Sequence, residues 1–250
     1  MSTEIKAIED LSLNAWPSHQ IQMYDGWILR FSYLYTYRTN CIEQIGTSSL
    51  SYDEKIPYCE EIYRRWQTPC IYKISPVTDP ALADALAARG YEARNDTHVM
   101  TLTLDEIPDL PSADVRLENR VSYQWLEGLF QLKETTNIIH RRIVPSMYDA
   151  IPKDEIAACI TEGERVIATG LGILDRDYVG IYAIHVAPEF RRNHLARSIC
   201  LTLLREGRKK GAEKAYLQVR ADNDGAIALY RSLGFRPFYS YRFLCRELGS

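Results

Sequence analysis

The residues with the clearest chemical potential lie between positions 181 and 235, where an apolar stretch runs directly into a basic one. The apolar stretch, IYAIHVAP, is followed by EFRRNHLA at residues 189–196 and then by a long amphipathic stretch. A strand that passes through a short turn into a helix presents unpaired backbone N–H groups and the positive end of the helix dipole to an anion. Arg191 and Arg192 add positive charge at this turn. The pattern is typical of a pyrophosphate-binding site, although arginines before a helix are also common on solvated surfaces.

A second segment follows at a fixed distance: NDGAIALY at residues 223–230, then LGF at residues 233–235. Together the two segments resemble the GNAT superfamily of N-acetyltransferases. The coenzyme A loop of that family follows Q/R-x-x-G-x-G/A, which Arg191 and Ala196 fit, and its later segment reads N-x-x-A-x-x-L-Y-x-x-x-G-F, which residues 223–235 fit throughout. The resemblance covers residues 115–250. With the first half included, the chain is similar to tandem GNAT proteins, in which one copy keeps the cofactor site.

The resemblance implies an enzyme that transfers the acetyl group of acetyl-CoA to a primary amine by direct attack in a ternary complex, without a metal. It implies that the backbone of Val186 pairs with the pantetheine arm and that Asn223 hydrogen-bonds the cofactor. The pyrophosphate would be held by the loop residues Arg191, Arg192, Asn193, His194, Leu195 and Ala196. Tyr230 would be the general acid, because a phenol with a pKa near 10 is protonated at neutral pH and can donate to a thiolate. A tyrosine that simply packs in its helix is the alternative.

The loop departs from the family pattern at His194, which stands where glycine is usual. Glycine there allows a positive φ and close approach of the backbone to phosphate. Histidine enters the left-handed region more readily than most residues, at some cost. Its ring would either contact a phosphate oxygen or narrow the site.

The sequence does not assign a general base. Gln218 holds a strand position where the family often has glutamate, so it could only orient a water. Strict alternation along the preceding strand predicts that Tyr182, Ile184 and Val186 share one face and that His185 points to the other. His185 is therefore expected to pack or to face solvent rather than to take part in catalysis.

The substituted glycine and the missing glutamate leave two further readings open. One is a non-catalytic acyl-CoA-binding or regulatory module, and the other is an acyltransferase with a longer acyl group or an oxygen acceptor. The motifs do not identify the acceptor, although the slight acidity of the chain favours cationic amines. His140 and Tyr148 lie in the helical region that the family uses to shape the acceptor cleft.

The elements that position these residues fall on either side of residues 105–114, DEIPDLPSAD, whose prolines and acids are typical of a linker. We predict a degenerate GNAT-like domain at residues 1–104 and the acetyltransferase domain at residues 115–250. The resemblance implies an α/β (α+β) fold in which each domain is a mixed, mostly antiparallel sheet flanked by helices.

Turn and cap signals locate several elements. Asp25-Gly26 predicts a hairpin, residues 52–66 a helix, Asp79-Pro80 a helix start, and residues 138–147 a helix interrupted near Pro145. Trp16, Trp27 and Trp66 are expected in the core of the first domain. Each half ends with a helix stopped by glycine, at Gly90 and Gly234, then an aromatic residue and a strand. This similarity suggests a tandem duplication, although the motif is common in α/β chains. When the two halves are aligned on these glycines, Arg191 corresponds to Thr47, so the first copy lacks a coenzyme loop.

Composition narrows the class of protein. The chain has 250 residues, 46% hydrophobic and 25% charged, with a net charge of -3. These values are ordinary for a globular protein and give no whole-molecule attraction to nucleic acid. Neither a membrane-spanning run nor a signal peptide is evident at the sequence level, so we expect a cytoplasmic protein. The six cysteines are scattered, which predicts neither disulfides nor a metal site.

Overall fold

The computed structural model describes residues 2–105, 107 and 113–249. The first half contains α1 (Ser2–Ala15), β1 (Gln20–Tyr24), β2 (Trp27–Phe31), a 3-10 turn (Tyr37–Thr39), β3 (Ile42–Gln44), α2 (Tyr52–Arg65), β4 (Cys70–Ile74), α3 (Pro80–Ala88) and β5 (Glu92–Thr103). The second half contains β6 (Arg116–Glu118), α4 (Tyr123–Leu132), α5 (Ile138–Asp149), β7 (Asp154–Glu162), β8 (Arg165–Asp175), β9 (Tyr178–Val186), a 3-10 turn (Pro188–Phe190), α6 (Leu195–Lys209), β10 (Lys214–Arg220), α7 (Asp224–Ser232) and β11 (Arg236–Arg246).

The same order of elements occurs twice. The series β1-β2-β3-α2-β4-α3-β5 in the first half matches β7-β8-β9-α6-β10-α7-β11 in the second. In each series the third strand pairs with the fourth in parallel and the other neighbours are antiparallel. The predicted fold class is therefore confirmed. The predicted linker lies mostly outside the described residues, so the domain boundary stays a prediction.

All strands join one sheet, in the order β1-β2-β3-β4-β11-β5-β10-β9-β8-β7-β6. The last strand of each half lies beside strands of the other half. β10 pairs with β5 along the whole length of β10, from Lys214 opposite Thr103 to Arg220 opposite Thr97, and β11 pairs with β4 from Arg242 to Arg246. The halves therefore share their central strands and do not meet only through a linker.

Turn and cap residues determine where several of the helices and strands begin and end. Asp25 and Gly26 both have positive φ, 41° and 77°, which gives the predicted hairpin its turn. Asp79 accepts a hydrogen bond from the Ala81 amide at 3.0 Å and begins α3 as predicted. The predicted interruption of α5 at Pro145 is wrong, because the helix continues through that residue. Helix α1 was not among the predicted elements.

The helices pack on both faces of the sheet. α6 and α7 form one apolar cluster with residues of β7, β8, β9 and β10, while α4 and α5 form another with β7 and β8. Trp27 is fully buried in the first half, as predicted, and Trp66 is partly exposed, stacked on Phe31. The prediction for Trp16 is wrong, because its ring packs against the cluster of α4 and α5 in the second half. In the described part of the chain, no helix has the length and apolarity to cross a membrane.

Candidate active site

A gap between two parallel strands forms the centre of the site. β9 pairs with β10 from Tyr178 to Ile181, and β9 then continues to Val186 without the same partner. Ala183 has a φ of 50°, and the pairing of β9 with β8 shifts register at this bulge. Because a bulge bends its strand and interrupts the ladder, β9 and β10 separate beyond Ile181 and leave a slot between them.

The bulge also changes which side chains share a face. The Tyr182 hydroxyl lies 2.5 Å from the Tyr216 hydroxyl, on one face of the sheet. Ile184 lies on the other face, with Ile199 of α6, because its Cδ1 approaches Gly170 there. The prediction that Tyr182, Ile184 and Val186 share one face is therefore wrong. Strict alternation could not anticipate this, because an alanine gives no sequence signal for a left-handed residue.

The slot opens into a cleft of about 1140 Å³ between β9, α6 and α7. The predicted site residues that line it are Val186, Arg191, Arg192, His194, Leu195, Ala196, Asn223 and Tyr230. Asn193 lies in the same loop but is not among the lining residues. Sequence reasoning missed Phe190 and Arg197, which also line the cleft. Arg197 lies one residue after the motif, on the first turn of α6, so the helical pattern could have predicted its position beside the cleft.

The first turn of α6 faces this cleft with free donors. His194, with φ of 59°, takes the left-handed conformation that the family gives to glycine, and Arg192 has φ of 65°. The first amide to donate within the helix is that of Ser198, to the His194 carbonyl at 2.9 Å. Among the described residues no side chain caps α6, so the amides of residues 195–197 remain available to an anion.

Tyr230 and Asn223 reach the cleft from opposite ends of α7. The ring of Tyr230 packs against Phe235 at 6.0 Å, and the residue is only 8% exposed. Burial, with a smaller contribution from Cys200, raises the pKa of Tyr230 well above its usual value, so the hydroxyl is protonated at neutral pH. Asn223 begins α7, and its Oδ1 accepts a hydrogen bond from the Ala226 amide at 3.1 Å.

A second, smaller cavity of about 100 Å³ lies on the other side of β9. Residues of both halves line it: Ala15, Trp16, Tyr35, Thr36, Arg38, Leu129, Lys133, Tyr148, Leu171, Tyr182, Ala183 and His185. His185 lines the large cleft as well, so the two spaces meet at its imidazole. The expectation was that this ring packs or faces solvent; the residue is partly buried and borders both cavities, and its part in catalysis stays untested.

The charges around His185 are positive. Loss of hydration, followed by repulsion from Lys133 and Arg191, lowers the pKa of His185 to about 4. The imidazole is therefore neutral at pH 7 and can accept a hydrogen bond.

Gln218, His140 and Tyr148 have supporting positions. The Oε1 of Gln218 accepts hydrogen bonds from the Tyr241 hydroxyl at 2.6 Å and from Arg38 Nη1 at 3.3 Å, so its amide fixes an arginine of the small cavity. Tyr148 lines that cavity. His140 lies behind it, where its ring contacts Tyr35 edge-on at 5.3 Å.

Comparison with known proteins identifies relatives along almost the whole chain. The family model described as "Probable histone acetyltransferase Rv0428c C-terminal" matches residues 2–244. The "Uncharacterized N-acetyltransferase YobR" of Bacillus subtilis is 24% identical over 244 residues, which cover 96% of this chain and 98% of that protein.

Solved structures share the fold. A GCN5-related N-acetyltransferase from Kribbella flavida superposes with a TM-score of 0.70 at 16% identity, covering 100% of this chain and 96% of its own. A tandem GNAT protein from the clavulanic acid biosynthesis pathway gives a TM-score of 0.63 at 16% identity, with 84% and 76% of the two chains covered.

Proposed function

This chain belongs to the acetyltransferase family whose model matches residues 2–244, and with it to the tandem form of the GNAT superfamily of N-acetyltransferases; from that membership we propose that it transfers the acetyl group of acetyl-CoA to a primary amine. The observation that carries the proposal is the separation of β9 from β10 beyond Ile181. It opens a cleft that ends at the uncapped first turn of α6, beside Arg191 and Arg192. A long ligand with a pyrophosphate fits a slot of this form.

The loop and strand residues would hold the co-substrate. The backbone of Val186, at the open edge of β9, would pair with the pantetheine arm. The amides of the loop between Arg191 and Ala196 would hold the pyrophosphate, since unpaired N–H groups and the helix dipole stabilise negative charge. His194 already has the φ that glycine would supply, which supports a working loop despite the substitution.

The transfer would proceed by direct attack. The neutral amine nitrogen forms a bond to the thioester carbonyl carbon, and the carbon–sulfur bond breaks with its electrons on sulfur. Tyr230 then donates its hydroxyl proton to the departing thiolate. The proton that the amine loses passes to water, and the neutral side chain of His185, which borders both cavities, would orient that water.

The proposal is tested by thiol release from acetyl-CoA in the presence of a mixed pool of amines. We expect amine-dependent release, and Tyr230→Phe should lower kcat by about 10²-fold because the thiolate loses its proton donor. The matched control is Tyr123→Phe, at an exposed position on α4, which should keep the wild-type rate. If acetyl-CoA binds but no combination of acyl donor and acceptor gives thiol release, the result would support the non-catalytic binding module instead. Thiol release with only a longer acyl-CoA would support the acyltransferase that uses a longer acyl group.

A further inference from the structure

The small cavity carries two positive groups for which the described residues provide no acidic partner. Arg38 comes from the 3-10 turn of the first half, and its guanidinium donates to the amide oxygen of Gln218 at 3.3 Å. Lys133 follows α4, and its Nζ donates to the Tyr35 hydroxyl at 2.8 Å, with the ammonium 4.4 Å from the centre of that ring. Among the described residues that line the cavity, none is an aspartate or glutamate.

This charge arrangement is unfavourable without a ligand. Arg38 is partly buried and Lys133 is exposed on one side. The two cations repel each other, and Arg38 is partly removed from water without an acidic partner among the described residues. Loss of hydration and then repulsion from Arg38 lower the pKa of Lys133 to about 8. An anion between the two groups would relieve both effects.

The position of Arg38 is fixed by the surrounding structure. Its carbonyl accepts a hydrogen bond from Arg30 Nη1 at 2.6 Å. Asn40 holds the same turn, because its Nδ2 donates to the Thr36 carbonyl at 2.6 Å and its Oδ1 accepts from the Ser32 amide at 2.7 Å. A guanidinium held by its own backbone and by Gln218 is preorganised to bind an anion, in contrast to a mobile surface arginine.

The remaining walls are aromatic and aliphatic. The Trp16 and Tyr148 rings lie 4.9 Å apart, and Leu129 and Leu171 complete the lining. The cavity and the large cleft share His185 as a lining residue, and the acceptor amine would meet the thioester there. A ligand that fits therefore has an amine at one end, an anionic group near it and a small apolar part.

We propose that the acceptor is an apolar α-amino acid, whose carboxylate binds Arg38 and Lys133 and whose amine lies at His185; this inference rests on the acetyl transfer proposed above. It reverses the expectation of cationic amines, which came from the net charge of the whole chain. A polyamine would bring like charge to two cations and would be repelled from this cavity.

The test uses pairs of compounds that differ only in the carboxylate and are small enough for the cavity, such as L-alanine with ethylamine and L-valine with 2-methylpropylamine. The readout is the ratio of kcat/KM within each pair. We expect a ratio of at least about 10 in favour of the amino acid, since a hydrogen bond to a charged group contributes more than a neutral one. Arg38→Gln and Lys133→Gln should each reduce the ratio, and Arg38→Lys should restore part of it. Arg64→Gln, at a partly exposed arginine of α2 paired with Glu61, should keep the wild-type ratio.

Binding of the same pairs, followed by fluorescence of Trp16 in the cavity wall, gives a readout that needs no acetyl-CoA. The proposal is overturned if the decarboxylated member binds or reacts equally well, or if neither cavity cation alters the ratio. It is also overturned if no amino acid of the panel binds. A chain that binds the amino acids and discriminates by Arg38, yet releases no thiol from acetyl-CoA, would contradict the proposed transfer and leave the carboxylate site supported.

Discussion

His185 borders both the large cleft and the small cavity, and its surroundings oppose its charged form. The groups that face it are Lys133 at the end of α4 and Arg191 in the loop after β9, and both are positive. The ring is therefore neutral at pH 7, where it can accept a hydrogen bond but holds a proton only weakly. A bound carboxylate would offset part of the positive charge and raise the pKa of His185 from about 4.

The depressed pKa of His185 makes stability depend on pH. Between its usual pKa near 6.5 and the folded value of about 4, the unfolded chain binds a proton that the folded chain does not. Stability is therefore lost as pH falls through this window, and the loss at pH 5 should be about 2 kcal/mol. Urea unfolding at pH 7 and pH 5 measures it, and His185→Gln should show the smaller change. An equal change in both proteins would mean that the imidazole titrates normally.

The residues of the two sequence motifs could be predicted, whereas the residues that line the small cavity could not. The residues of the two motifs, such as Arg191 and Tyr230, lie where a strand–turn–helix pattern puts them, and they line the large cleft. Arg38 and Trp16 line the small cavity from the other half of the chain. No spacing rule connects them with β9, because their approach depends on how the halves pack.

Helix α6 lies unusually close to β8 because Gly170 has no side chain. A Cβ at that position would lie 2.3 Å from Cγ2 of Ile199 and 2.8 Å from Cδ1 of Ile184. The first is on α6 and the second follows the bulge in β9, so Gly170 sets the distance between the helix and the slot. A larger residue would push the first turn of α6 away from β9.

Gly170→Ala should therefore destabilise the chain by about 1–3 kcal/mol through overpacking and should weaken acetyl-CoA binding as well. Gly46→Ala is the matched control, because its Cβ would have an ordinary contact at 3.7 Å and an exposed substitution costs at most about 0.5 kcal/mol. Chemical denaturation and calorimetry measure the two effects. Full stability in Gly170→Ala would show that α6 has more room than this packing allows.

Among the helices and strands, the sequence predicted the turns and caps but not the pairing of strands. The hairpin at Asp25-Gly26 and the start of α3 at Asp79 follow from turn and cap preferences, which act over a few residues. The bulge at Ala183 has no such signal. The sequence also gives no signal that β5 pairs with β10 and β11 with β4, because the hydrophobic pattern of a strand does not specify its neighbour.

A buried ionic cluster joins the beginning of the chain to its end. Lys73 on β4 pairs with Glu9 of α1 at 2.8 Å and with Glu43 of β3 at 3.2 Å, and Arg30 of β2 also pairs with Glu43 at 3.2 Å. Tyr239 of β11 donates to Glu9 at 2.5 Å. Burial opposes the charge of Lys73, but Glu43 and Glu9 more than offset this and raise its pKa.

Replacing Lys73 by methionine leaves the buried Glu9 without its cation and Glu43 with Arg30 alone. We expect Lys73→Met to destabilise the whole chain by about 3–5 kcal/mol, the usual effect of breaking a buried pair. Lys209→Met removes an exposed lysine paired with Glu206, and should cost less than about 1 kcal/mol. Urea midpoints compare them. A small effect at Lys73 would mean that water reaches the cluster.

The whole molecule is more integrated than two predicted domains suggest. The mixed, mostly antiparallel fold class and its helices are confirmed, yet β5 of the first half is a central strand beside β10 of the second. The first half therefore supplies a sheet neighbour and, through Arg38, one side of the small cavity. Sequence comparison of the halves indicated a degenerate copy without a coenzyme loop but could not predict that this copy lines the small cavity.

The most direct test of the proposed function is a calorimetric titration of the full chain with acetyl-CoA. We predict micromolar affinity, about −8 kcal/mol, and a loss of at least about 10-fold in Arg191→Gln/Arg192→Gln, because two charge-assisted contacts are removed. Lys210→Gln, at the opposite end of α6, should bind as the wild type does. Absence of binding in the wild type, or equal binding in the loop variant, would contradict the assignment of this cleft to acetyl-CoA.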